Sequence, residues 1–220
     1  MKEFYEKFST RKSYDHHPEA LAEHLNQYYE SEEITVFHEM VSPDFHLDVY
    51  FINGKDDDFN ILLTSGMSLL EMHVPDVVED KAAYKFAEIM ILLPKSIEFE
   101  KSYPNESENN WIMSMIKETA RFPHHYDTWL SIGHTLQATA DMKPYSEQTN
   151  YVGMVILPSV TFDEEFTTIQ AGDELINIYT IFPLYKNELE YKIEYGYDAL
   201  IDKLIEKNVE EIFDKQRETI

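Results

Sequence analysis

Glu88 is a carboxylate set inside a run of apolar residues, and it has the strongest claim to chemistry in this sequence. On a strand period it shares a face with Phe86, Met90 and Leu92. Burial there raises the pKa of a carboxyl group and makes an unpartnered one expensive. Such a group serves either as a catalytic acid or as a structural hydrogen-bond anchor, and the anchor is the expectation. The second candidate is Thr64-Ser65-Gly66-Met67-Ser68, which ends an apolar strand in small and hydroxyl residues. A turn through Gly66 would expose Ser65 or Ser68, or aim backbone N–H groups at an anion. The segment lacks the paired glycines of a nucleophile elbow and the lysine of a phosphate loop. A strand end where glycine lets two backbones approach closely is the simpler reading.

Nine histidines raise the question of a metal. His46 and Asp48 lie two apart on one strand face, His124-His125 follow a helix, and His134 follows Gly133. None of these has the spacing of a known metal motif, so neither a metal nor any other cofactor is expected. Asp56, Asp57 and Asp58 read as a solvated turn without the spacing of a calcium loop. Trp129 is either core packing beneath a loop or an aromatic anchor for a partner. A hydrolase or metal-dependent enzyme using Glu88, His134 and a hydroxyl near Ser65 is the rival to a binding role. It requires those three side chains to converge in one pocket.

The elements that must position these groups follow from periodicity. Residues 18–30 predict a helix, with Pro18 in the first turn and Leu21, Leu25, Tyr28 and Tyr29 on one face. Residues 34–41, 45–53 and 60–64 predict three antiparallel strands, the second alternating Phe45, Leu47, Val49 and Phe51 with polar neighbours. Residues 83–93 are apolar on both strand faces and belong mid-sheet, covered on both sides. A helix is expected over 106–122, a second helix or ordered loop over 127–137, and strands over 151–157 and 174–182. Residues 186–216 read as helical with a break at Gly196 and an inward stripe of Leu200, Ile201, Leu204 and Ile205. The polar stretch 98–110 is the one candidate boundary, and it suits a surface loop. The fold class expected is α+β: a single domain over residues 1–220, with a central, mostly antiparallel sheet flanked by helices.

Composition narrows the partners. Forty-two Asp and Glu face eighteen Lys and Arg, a formal charge of −24. Such a surface repels nucleic acid and anionic membranes and favours a basic partner. Cysteine is absent, which excludes disulfides and thiolate chemistry and suits a reducing compartment. The N-terminal residues lack the order of a signal peptide, and no apolar run approaches bilayer length. A cytoplasmic protein is expected, with its oligomeric state left open.

In order along the chain, the strand 47–52, Leu63-Thr64-Ser65-Gly66-Met67-Ser68, Phe86-Ala87-Glu88, Leu93-Pro94 and Asn110-Trp111 resemble the suppressor-of-fused domain family. So do Ala120-Arg121-Phe122-Pro123-His124, Thr128-Trp129-Leu130, Gly133-His134 and the run 178–185 leading to Glu188. The resemblance covers roughly residues 20–205 and points to a stand-alone, bacterial-type member. It implies a binding protein and not an enzyme. Animal members restrain a transcription factor with the help of a second domain, which this chain is expected to lack. Stand-alone bacterial members resemble immunity proteins that neutralise a cognate toxin by occlusion. No partner-contacting residue carries over, but Ser65, Gly66, Met67, Glu88, Trp129, His134 and Glu188 are the motif residues to test for binding. The implied partner is another protein, a basic toxin on the charge argument.

Overall fold

Alternation in the most apolar run decides the architecture. In the computed structural model, which describes residues 7–42, 44–99 and 108–220, the elements in chain order are these. Helix α1 (His17–Leu25) precedes β1 (Ile34–Phe37), β2 (Asp48–Ile52), β3 (Phe59–Ser65) and β4 (Phe86–Pro94). Helix α2 (Asn110–His125), β5 (Thr135–Gln137), β6 (Gly153–Leu157), α3 (Glu164–Thr167) and β7 (Thr168–Ala171) follow. The chain then forms β8 (Glu174–Leu184), α4 (Lys186–Tyr195) and α5 (Tyr197–Glu206).

One sheet runs β1-β2-β3-β4-β8-β6-β5, with β7 also pairing β8. The first three strands form the anticipated antiparallel meander, in register at Ile34↔Ile52 and Ile52↔Ile61. β4 sits in the middle, antiparallel to β3 and parallel to β8. That parallel pair makes the sheet mixed; every other pairing is antiparallel. β4 turns Ala87, Ile89, Ile91 and Leu93 into one core and Phe86, Met90 and Leu92 into another. α2 covers the first with Ile112, Met115 and Ile116, its i, i+4 face. α1 covers the second with Leu21 and Leu25, joined by Phe166 of α3. A third cluster packs Leu189, Leu200 and Leu204 of α4 and α5 on Val155, Phe182 and Leu184. Of the described helices, none is long and apolar enough to cross a membrane.

Several expected boundaries move. The first helix stops at Leu25, capped by Asn26, so Tyr28 lies beyond it and is exposed. The strands predicted over 34–41 and 45–53 shorten, because Asp48 takes the backbone N–H of Glu39 (2.9 Å) and curls the connection. The 127–137 segment is an ordered loop ending in β5. The expected onset of α2 at Glu106 and most of the 98–110 stretch lie outside the described residues. β7 and α3 were not anticipated.

The largest departure is the chain end. Gly196, at φ 92°, breaks the late helix as expected, but helix ends at Glu206 and not at Gln216. Asn208 enters the left-handed region (φ 50°), and residues 207–220 run irregularly back over the sheet. Leu200 and Leu204 point inward, Ile201 is half-buried, and Ile205 is 67% exposed, so the expected inward stripe is only half as wide. Long-range partners replace the helical hydrogen bonds. Phe213 is buried and donates its N–H to Leu92 O (2.8 Å), where β4 has parted from β8. Arg217 forms a forked pair with Glu188, Nη1–Oε1 and Nη2–Oε2 both at 2.5 Å, and donates to Pro183 O at 3.0 Å. Its guanidinium also lies 4.8 Å from the Tyr185 ring centre. Burial opposes the charge on Arg217, but the hydrogen bonds and charge of Glu188 outweigh it and raise its pKa.

Glu188 is fully buried, so truncating Arg217 strands a charge, a loss of about 3–5 kcal/mol. Arg217→Ala is expected to lower stability by about that amount in urea unfolding, and Arg217→Lys by less, since lysine keeps the charge but loses the fork. In both variants, amide exchange should accelerate selectively at Phe213 and Ile220.

Candidate functional site

The segment 64–68 and Glu88 meet in the layer beneath α1. Pairing of β3 with β4 ends at Leu63↔Met90. Beyond it, the Thr64 hydroxyl accepts the N–H of Ile89 at 2.9 Å, taking over from a ladder carbonyl. Gly66 adopts φ 131°, and a Cβ there would collide with the carbonyl oxygen of His46. This turn points three successive amides at one carboxylate. Glu88 Oε1 accepts from Gly66 N (3.0 Å), Ser68 N (3.0 Å) and Ser68 Oγ (2.6 Å). Oε2 accepts from Thr64 Oγ1 (2.7 Å) and Met67 N (3.3 Å). Glu88 itself is 0% exposed. Burial pushes its pKa up, while the bonds from Ser68, Gly66 and Thr64 hold it down; the net shift is upward.

The carbonyls of the same turn are taken from the other side. His17 Nδ1 lies 2.8 Å from Ser68 O, His124 Nε2 lies 2.9 Å from Met67 O, and Tyr14 N donates to Leu69 O (2.9 Å). His124 is buried against Phe45 with its Nδ1 unbonded. Burial, then the nearby Arg11 charge, pushes its pKa down to about 3, so it is neutral. The result is a fully gripped loop: a carboxylate binds its donors and two imidazoles bind its acceptors. Chemically it resembles an anion site whose anion is supplied by the protein itself, which fits the anchor reading of Glu88.

The predicted site residues therefore separate. Ser65, Gly66, Met67, Glu88 and Glu188 are buried and hold the fold together. Trp129 and His134 are half-buried, packed edge to face at 5.0 Å, and Tyr84 also meets the indole edge to face at 5.7 Å. The three groups of the enzyme reading do not share hydrogen bonds. Glu88 is saturated by 64–68, the Ser65 hydroxyl bonds Tyr50, and His134 packs on Trp129.

Sequence reasoning missed the second polar cluster, between the 38–46 connection and α2. Arg121 reaches across to Glu39 (2.8 and 2.7 Å) and Asp44 (3.1 Å), and His125 also bonds Asp44. Arg121 was legible only as part of a motif; its partners lie some 80 residues upstream. The molecule also carries an apolar groove of about 160 Å³ between β6, β8 and α5, lined by Leu157, Val160, Phe182, Tyr197 and Ile205.

The suppressor of fused protein (SUFU) family matches residues 43–218, most of the chain. The chain belongs to that family. Among solved structures, a chain of the Sufu–Fu complex crystal structure superposes with a TM-score of 0.63 and 14% identity. That alignment covers 96% of this chain and 93% of the other. Drosophila Suppressor of Fused superposes at 0.55 with 13% identity, covering 88% of this chain but only 47% of that one. Identities this low speak for a shared fold. No curated protein sequence matches.

Glu88→Gln keeps one acceptor oxygen but sets an NH₂ group against the two donors on Oε2 or the three on Oε1, so it is expected to cost about 2–4 kcal/mol in urea unfolding. The His124 shift carries a pH signature. Unfolded histidine titrates near 6.5, so between about 6.5 and 3 the unfolded chain binds a proton that the folded one refuses. Stability from this group therefore falls as pH drops through that window. The raised carboxyl of Glu88 acts oppositely, its contribution fading as pH rises through its folded value. The difference between wild type and His124→Gln isolates the histidine: the variant's unfolding midpoint should lose less between pH 6.5 and 4.

Proposed function

We propose that this suppressor of fused family member is a protein-binding module that neutralises a basic partner by covering it, as an immunity protein covers its toxin. The family match carries this reading. The fold likeness supports it, since the similar chain belongs to a crystal structure of the Sufu–Fu complex. Two features of this chain agree. Glu88, the side chain best suited to act as a buried acid, is spent on holding its own backbone. The charge of −24 gives long-range attraction to a cationic surface, worth tenfold to a thousandfold in association rate at low salt.

In this reading Trp129 and His134, the two motif side chains that reach the surface, touch the partner. The rest of the motif fixes the frame that presents them. The partner would be a toxin with a basic face, and the complex would form in the cytoplasm, where a cysteine-free protein loses nothing to reducing conditions.

The experiment is stopped-flow association with the purified product of the adjoining reading frame. The association rate is expected to fall at least tenfold between 50 and 500 mM salt as screening shortens to a few ångströms, with dissociation little changed. His134→Ala should speed dissociation without altering the salt slope. An association rate indifferent to salt would remove the basic partner from the proposal, and no association at all would remove the immunity role.

A further inference from the structure

Asp48 opens β2 and His46 lies two residues before it in the connection, and the sheet register brings a third ligand to them. β1 and β2 pair Phe37 with Val49, so one step further His38 stands beside Asp48. His38 Nδ1 lies 2.8 Å from Asp48 Oδ2, and His46 Nε2 lies 2.8 Å from Asp48 Oδ1. One ligand atom from each of the three residues falls within 4.8 Å of the others. Both imidazoles are open to solvent, at 70% and 54% exposed, while the Asp48 side chain is held down at 14%. The Glu39 N–H fixes that carboxylate at 2.9 Å.

The surrounding bonds orient the cluster. The Ser42 hydroxyl donates to Glu39 Oε2 (2.8 Å), so its oxygen is free to accept from His46 Nδ1–H (3.3 Å). In the tautomer with the hydrogen on Nδ1, the Nε2 lone pair faces Asp48, as a metal ligand requires. Two electron-rich atoms 2.8 Å apart require a cation between them, either a proton or a metal ion. Arg121 neutralises Glu39, leaving Asp48 as the carboxylate of the cluster. A histidine whose second nitrogen is bonded to a hydroxyl, in turn bonded to a carboxylate, is the outer-shell arrangement that tunes metal ligands.

We propose that His38 Nδ1, His46 Nε2 and one Asp48 oxygen form a zinc site at the sheet edge, completed by solvent. Two imidazoles and one carboxylate suit zinc; calcium and magnesium ask for oxygen ligands throughout. Tetrahedral bonds of about 2.0–2.1 Å set ligand atoms roughly 3.3–3.4 Å apart. With Oδ1 as the ligand, His46 Nε2 (2.8 Å away) opens by about half an ångström, and the exposed His38 ring turns from Oδ2 toward the same ion. Bound zinc would tie the end of β1, an edge strand, to the start of β2 across the 38–46 connection, releasing a proton to solvent on binding. The other histidine group, His16, His17 and Glu174, is a poorer candidate. His17 there is buried, with Nδ1 on Ser68 O and Nε2 sealed from solvent, whereas both imidazoles of the 38–46 group are open to it.

Calorimetric titration of the untagged protein with zinc chloride tests the site, alongside His38→Ala, His46→Ala and, as a control, His16→Ala. The substitutions fall on exposed side chains, and circular dichroism verifies that each variant is folded. Expected are saturable one-to-one binding by the wild type and His16→Ala, and weakening by about tenfold or more in each of the other two. Zinc should also shift the ring ¹⁵N resonances of His38 and His46 and of no other histidine. The site is overturned by the absence of saturable binding, by wild-type affinity in His38→Ala or His46→Ala, or by loss of binding in His16→Ala alone.

Discussion

The fold turns on one carboxylate binding one strand end. Glu88 is fully buried in the middle strand of the sheet, where an unpartnered charge would cost several kcal/mol. Five donors from Thr64, Gly66, Met67 and Ser68 meet it. The balance between desolvation and these bonds yields little net stability, but it fixes geometry. The turn can reach Glu88 only with Gly66 in its left-handed conformation, so the end of β3 has one position relative to β4. α1 and α2 are then registered against the same turn through His17 and His124. Both helices and both central strands thereby share a polar knot inside otherwise apolar layers, which specify burial without specifying register.

A second knot does for the far edge what the first does for the middle. Glu188 begins α4 as a capping residue, its Oε2 accepting the N–H of Tyr185 at 2.9 Å, and the same carboxylate receives Arg217 from the chain end. One group thus satisfies a helix terminus and latches an irregular segment. Tyr151 and Tyr185 complete the latch, donating their hydroxyls to Asp214 O (2.5 Å) and Arg217 O (2.9 Å). Aromatic side chains with polar tips suit this work, since the ring joins the core while the hydroxyl serves the backbone of a crossing segment. Both knots bury acids, so an acidic protein uses carboxylates inside as well as outside.

What the sequence made legible was what periodicity and local chemistry determine. The two-faced run of β4 announced a central strand, and Glu88 within it announced a need for partners. Gly66 amid hydroxyl residues announced a tight backbone approach. Three short apolar runs separated by Asp, Asn and Gly announced the meander. What stayed hidden was long-range pairing. Nothing near Arg217 says that its carboxylate lies 29 residues upstream, so the chain end read as helix. His38 looked unrelated to His46 and Asp48, because the strand register joins them across a connection of irregular shape. The parallel β4–β8 pairing depends on a crossover of some eighty residues, beyond any window of local pattern. Ile205 misled for a simpler reason: a stripe wide enough to be buried is not buried where no second layer covers it.

Charge links this scaffold to its proposed work. Surface ion pairs such as Lys203–Glu206 and Lys143–Asp141 contribute little each, and eighteen cations cannot balance forty-two acids. The folded chain therefore carries uncompensated self-repulsion, which disfavours the compact state. The apolar cores and the two knots must hold against it. A cationic partner of the proposed kind, recognising the folded form, would remove part of that repulsion as it docks. Association and stability then draw on the same electrostatic term: whatever neutralises the surface also raises the cost of unfolding. A body held rigid from within and left strained by charge on its exterior is suited to meeting a basic surface without rearrangement, because the ordering cost was met when it folded.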